Sequence, residues 1–314
     1  MVKPRSQSGF RARKYRKRVI YKVALFVLFL TALSVVLLSV FDLRVTSGID
    51  RKELLQLWES GAYEDIYTLS IEQLNQKPLD FFLLTINGFS SYQLAIAQIN
   101  SFNMLKFLDN CIWSLRKALL FKEGYNDGRV FYVLGKAYYY KGAGYGDLAI
   151  KYLEKARNSG FTANDVPEYL GLAYASVHDY QSSVEAFNLA LNFPQENSSS
   201  DTLFLAIASS YLAMGDVETA QTYFVRCLDI SRDSNIIFSA RLNLGEILFK
   251  KGDIAGAEDQ YIKVIEESGG NAEAHFRLGE IYNARGETVR GRAEWRKAIQ
   301  FDPSHRLARA RLSI

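Results

Sequence analysis

Between Ala272 and Pro303 apolar positions return with a helical period that is interrupted once, near the middle. Leu278, Gly279 and Tyr282 fall on one face of a first predicted helix. Trp295 and Ala298 fall on one face of a second, with Gly286 in the turn between them and Pro303 at the close. Small Gly279, Gly291 and Ala298 let two antiparallel backbones approach, while Leu278, Tyr282 and Trp295 fill the space beside them. Gly286 suits a left-handed turn. The predicted unit is a helical hairpin with an uncovered apolar face, so it needs copies of itself as neighbours.

Those copies lie upstream. Leu244-Gly245, Gly252, Ala257 and Tyr261 repeat the pattern, as do Ile207-Ala208, Tyr211, Gly215, Ala220, Phe224 and Cys227. Leu170-Gly171, Tyr174, Phe187 and Ala190 do so again, and Leu134-Gly135, Tyr138, Ala149, Leu153 and Ala156 open the series. The leading apolar residues are 36, 37, 37 and 34 residues apart, a spacing that predicts five tandem hairpins over 128–303. Residues 42–127 read as a degenerate extension. Gly61 and Pro78 keep the seventeen-residue separation of Gly286 and Pro303, with Ile66 at the small crossing position. A second degenerate unit ends on the helix from Cys111, but its first half, Leu79 to Asn110, is about ten residues longer than the repeat period requires. The surplus either lengthens both helices or makes a loop. Residues 304–314 read as a last amphipathic helix, with Leu307 and Leu312, that covers the final apolar face.

The sparse set Leu278-Gly279, Tyr282, Gly286, Trp295, Ala298 and Pro303 resembles the tetratricopeptide repeat. The resemblance implies an all-α superhelical solenoid whose first helices line a concave groove, and a role in holding protein or peptide partners. The groove positions it implies are Tyr132, Lys136, Tyr139 and Tyr140, then Glu168 and Leu172, then Leu205, Ser209 and Leu212. They continue with Leu242, Glu246, Phe249 and Lys250, and end with Phe276, Glu280 and Asn283. Such a lining, aromatic and aliphatic with scattered acids, suits an amphipathic helix or an extended apolar segment. The cationic carboxylate clamp of chaperone-binding members is replaced here by mostly apolar or acidic residues.

Charge adds a membrane to the picture. Nine of the 38 Lys and Arg residues precede Asp42, the first acid, so the rest of the chain carries 29 basic against 34 acidic residues. A net of −5 there argues against nucleic-acid binding. Residues 1–22 form a basic tail, and 23–41 are nineteen uncharged residues, enough at about 1.5 Å per residue to cross a bilayer core. The run is longer than a signal-peptide core and lacks a small-x-small cleavage site, which favours a single uncleaved transmembrane helix ahead of the solenoid. The positive flank places the N-terminus in the cytoplasm and the array outside the inner membrane.

Chemistry is sparse. His178, His275 and His305 have no Cys, Asp or Ser at a catalytic or metal-binding spacing, and GAGYG at 142–146 lies between helices, where no phosphate-cradling loop belongs. No enzyme activity and no cofactor are expected. Cys111 and Cys227 occupy packing positions. Asn197-Ser198-Ser199 is a glycosylation acceptor only in a eukaryotic secretory setting. Arg290, Arg292, Arg296, Lys297, Arg306, Arg309 and Arg311 make the C-terminal end basic, either as a solvated face or toward an acidic partner or lipid headgroups. The expectation is a membrane-anchored scaffold that binds partner proteins through its groove in the periplasm as part of an envelope assembly. The alternative is an organelle outer-membrane receptor with its array in the cytosol. Self-association stays open.

Overall fold

The structure, a computed structural model, describes residues 50–193 and 200–313. The basic tail, the apolar run 23–41 and the Asn197 sequon lie outside the described residues. Among those described, no helix is long and apolar enough to cross a membrane. The chain divides into two compact units, Met1–Pro78 and Leu79–Ile314.

In the first unit, α1 (Arg51–Glu59) and α2 (Tyr63–Gln76) form a hairpin that turns at Gly61. Asp50 caps α1 by accepting from the Lys52 N–H. Leu54 and Ile66 are fully buried.

The second unit is a succession of antiparallel pairs. These are α3 (Phe81–Ile96) with α4 (Ser101–Ala118), α5 (Gly128–Lys141) with α6 (Gly146–Asn158), and α7 (Val166–Ser176) with α8 (Tyr180–Ala190). Then come α9 (Ser200–Met214) with α10 (Val217–Ile230), α11 (Ser234–Lys250) with α12 (Ile254–Ser268), and α13 (Ala272–Ala284) with α14 (Thr288–Phe301). A short α15 (Arg306–Leu312) closes the series. The surplus length between Leu79 and Asn110 goes into helix: α3 has 16 residues and α4 has 18, against 11 in each of α7 and α8.

One steric rule builds five of these six pairs, with Ala208 in the glycine's place in α9–α10. A β-carbon on Gly135, Gly171, Gly245 or Gly279 would lie 2.5–2.6 Å from Leu153, Phe187, Tyr261 or Trp295 of the second helix. Gly88 meets Leu115 in the same way at 2.4 Å, which makes it the crossing glycine of the degenerate pair. The turns share a second device. At Gly215-Asp216 and Gly252-Asp253 the glycine takes a positive φ and the aspartate accepts from the Thr219 or Gly256 N–H, capping the next helix. In the α7–α8 turn His178 adopts the glycine's role at φ 64°, and Asp179 caps α8.

The glycine-rich corner of the α5–α6 turn is a single 3-10 turn, Ala143–Tyr145. Tyr145 stacks on Tyr138 with ring centroids 6.0 Å apart, which ties down this corner. In α15 the inward residues are Ala308, fully buried, and Leu312, whereas Leu307 is 57% exposed. The apolar face therefore runs at i, i+4, and Leu307 does not belong to it. Cys111 and Cys227 are free and fully buried. Burial pushes the Cys227 thiol up to about 11, with the Asp201 charge adding to it, and raises Cys111 as well.

Candidate functional site

First and second helices differ in how closely they converge. Beyond immediate neighbours, contact joins first helices to one another: α3 to α5, α5 to α7, α9 to α11 and α11 to α13. That inner row carries the expected groove positions. Leu172, Leu205, Leu212, Leu242 and Phe249 are partly buried, each resting on a core cluster with one side left to solvent. Ser209, Lys250 and Asn283 are exposed among them.

At the α3–α5–α7 end the row becomes a tyrosine cage around a cation. The Lys136 ammonium lies 2.8 Å from Asp165 Oδ2 and donates to the Tyr132 hydroxyl at 2.9 Å. It also sits 4.2 Å from the Tyr169 ring centroid, 4.8 Å from Tyr132 and 5.8 Å from Tyr92. Asp165 additionally accepts from the Tyr132 hydroxyl at 2.7 Å, and Tyr140 and Tyr169 share a hydrogen bond of 2.8 Å. Burial raises the Tyr132 and Tyr169 phenols, helped by Asp165 beside the first and Tyr140 beside the second, and burial likewise raises Tyr139. All three remain neutral hydroxyls at ordinary pH. Lys136 is only 8% exposed, so it holds helices together and is not an open groove contact. Tyr139 packs edge-on against Tyr140 and Tyr169, and like them it is partly exposed.

The far end is closed by charge. Glu246 pairs with Lys250 at 2.8 Å and with Arg277 at 3.3 Å, joining α11 to α13. Its carboxyl is held below the usual range, first by the Lys250 hydrogen bond and then by Arg277, against the opposing effect of burial. Glu280 takes both ends of the Arg311 guanidinium, at 2.9 and 2.6 Å, which latches α15 onto α13. Phe276 departs from its expected place. It is 4% exposed, packed with Trp295, Ala298 and Ala308, because α15 lies over it. Glu168 lies on α7 near Tyr139, whose phenol its charge also raises.

The structure adds Tyr92, Tyr169 and Asp165, which the repeat pattern does not mark. Tyr92 lies in the degenerate pair and Asp165 in a turn, and Tyr169 is one residue beyond an expected position. Histidines are structural. His275 Nδ1 is 2.6 Å from Glu294 Oε2, His305 Nδ1 accepts from the Ala308 N–H, and His178 makes a turn. Among the described residues no three His, Cys, Asp or Glu side chains gather as metal ligands would.

This fold is an α-helical solenoid with an inner row of first helices. Residues 205–270 and 242–306 match the model of the tetratricopeptide repeat family. The C-terminal part of a TPR repeat-containing protein from Cytophaga hutchinsonii has the same fold, with TM-score 0.60 and 16% identity over 84% of this chain and 100% of that one. Pseudomonas aeruginosa pilF follows at TM-score 0.52 and 16% identity, covering 72% of this chain and 96% of that one. Among curated proteins, the protein CTR9 homolog of Arabidopsis thaliana is 28% identical over 101 residues, which is 32% of this chain and 9% of that protein. The chain thus spans less than a tenth of that relative's length, and the likenesses are of repeat and fold.

Proposed function

We propose that this protein is a scaffold that holds a partner polypeptide along the inner row of first helices. The observation that carries the reading is the run Leu172, Leu205, Leu212, Leu242 and Phe249, all partly exposed on converging helices and flanked by Tyr139 at one end. Spaced apolar anchors with few unpaired charges between them suit one apolar face of an amphipathic helix or an extended apolar segment. The basic tail and the uncharged run 23–41 support a single-pass tether with the N-terminus in the cytoplasm and the array on the other side of the membrane, as part of an envelope assembly.

A photo-crosslinker at exposed Ser209 on α9, compared with one at exposed Glu266 on α12, tests the groove in intact cells. Capture of one partner from Ser209 alone supports the reading. Capture from Glu266 with silence at Ser209 refutes it. Cleavage of the array by protease added to spheroplasts with a sealed cytoplasmic membrane supports the proposed topology, and protection there favours a cytosol-facing array instead.

A further inference from the structure

The second helices present their outer surfaces away from the groove, and one of them is unlike the rest. Two residues before each crossing side chain, the outer position carries Lys151, Glu185, Thr222, Asp259 or Ala293, but Trp113 on α4. Five residues after it stand Asn158, Asn192, Asp229, Glu266 or Gln300, but Leu120 on the α4 side. Phe102 extends the same line at the start of α4. Phe102 is 75% exposed, Trp113 49% and Leu120 79%, all opposite the buried Leu108, Cys111 and Leu115. From Phe102 to Leu120 the row runs about 27 Å at 1.5 Å per residue.

Cations are interleaved with this row. Lys106 is exposed beside Phe102, Lys117 Nζ lies 3.7 Å from the Trp113 ring centroid, and Lys122 follows in the turn. The acid on this helix, Asp109, is occupied by an ion pair with Lys141. Phe102, Trp113 and Leu120 form an exposed row of large apolar side chains flanked by lysines. The row matches a bilayer interface, where aromatic rings enter at headgroup depth and lysine stems lie along apolar surface with their ammonium groups toward anionic headgroups.

We propose that the outer face of α4 is an interfacial docking surface for an anionic lipid bilayer. Phe102, Trp113 and Leu120 enter the headgroup region, and Lys106, Lys117 and Lys122 meet the lipid charge. The inference is independent of the groove, and it gains from the proposed tether, which keeps the array within reach of a membrane. Docking by α4 would hold the outer surface of the first pairs against the bilayer and leave the inner row turned to the partner.

The test uses the full chain in vesicles whose acyl chains carry bromine, a short-range quencher of tryptophan. One set is phosphatidylcholine alone and the other contains one third phosphatidylglycerol, on the order of natural anionic content. The Trp113 signal is the difference between the native chain and Trp113→Phe. Quenching in anionic vesicles, its loss in high salt and its loss in K106E/K117E are expected, with helical circular dichroism unchanged. F102S/L120S should also lose it. Vesicle-bound chain with unquenched Trp113 overturns α4 docking while sparing the tether, and chain that fails to associate with either vesicle overturns both. Emission from Trp113 that is already shielded without vesicles, with a doubled mass, overturns the proposal in favour of a second copy.

Discussion

Gly279 lies directly beneath Trp295: a β-carbon at 279 would stand 2.5 Å from Cδ1 and Nε1 of the indole and 3.0 Å from the Gly291 carbonyl oxygen. Neither obstacle is the free end of a flexible chain. Gly279→Ala is expected to destabilise the α13–α14 pair by about 1–3 kcal/mol through overpacking, read as a lower urea midpoint. Adding Trp295→Leu should restore part of that loss, since it removes the clashing ring; an additive double variant would place the strain elsewhere.

The ion pair inside the tyrosine cage makes a second, larger expectation. Lys136→Met leaves Asp165 with the hydrogen bond from the Tyr132 hydroxyl but without its cation, and loss of one member of a buried pair costs about 3 kcal/mol or more. Lys136→Met combined with Asp165→Asn should recover most of it, because the desolvated charge is then gone as well. Thermal denaturation of the three variants checks the ranking.

His178 occupies a left-handed backbone position, φ 64°, that glycine fills in the neighbouring Gly215 and Gly252 turns. A side chain there costs about 1 kcal/mol. His178→Gly should therefore raise stability by roughly that amount, less the lost hydrogen bond between Nδ1 and the Tyr180 hydroxyl, 2.8 Å apart. An unchanged or lower melting temperature would contradict this account of the turn.

Acid should loosen the α11–α13 junction. The Glu246 carboxyl is depressed in the folded chain by Lys250 and Arg277, so its contribution is complete above the unfolded carboxylate pKa, about 4.3, and is lost as pH falls through the lower folded value. Glu246→Gln is expected to lower stability at neutral pH, and the gap from the native chain should close in acid. Parallel pH profiles for the two proteins would remove Glu246 from the linkage.

Much of the architecture is legible in sequence because a helix crossing tolerates few residue types. Gly135, Gly171, Gly245 and Gly279 could be located with their partners from the period alone, since a β-carbon at any of them would meet the side chain of the second helix. Gly88 escaped because α3 and α4 are longer and the interval from Gly88 to Leu115 is 27 residues, against 16 from Gly279 to Trp295. The groove was less legible. Whether Phe276 faces solvent depends on where α15 lies, and whether Lys136 is open depends on an aspartate in the next turn and on a tyrosine from the preceding pair. Those are tertiary facts, carried by residues outside the repeat's own marked positions.

The buried core running from Tyr92 in α3 to Ala173 in α7 is continuous. From α8 onward the described buried residues fall into smaller clusters, around Phe187 and Leu203, Phe224 and Leu244, Tyr261 and Leu278, and Trp295 and Ala308, the first three joined through the partly buried Tyr211, Tyr223 and Leu248. A solenoid divided in this way behaves as a spring of unequal stiffness. Were the proposed tether and partner to load the chain, extension would be expected in the C-terminal pairs before the block built on the tyrosine cage.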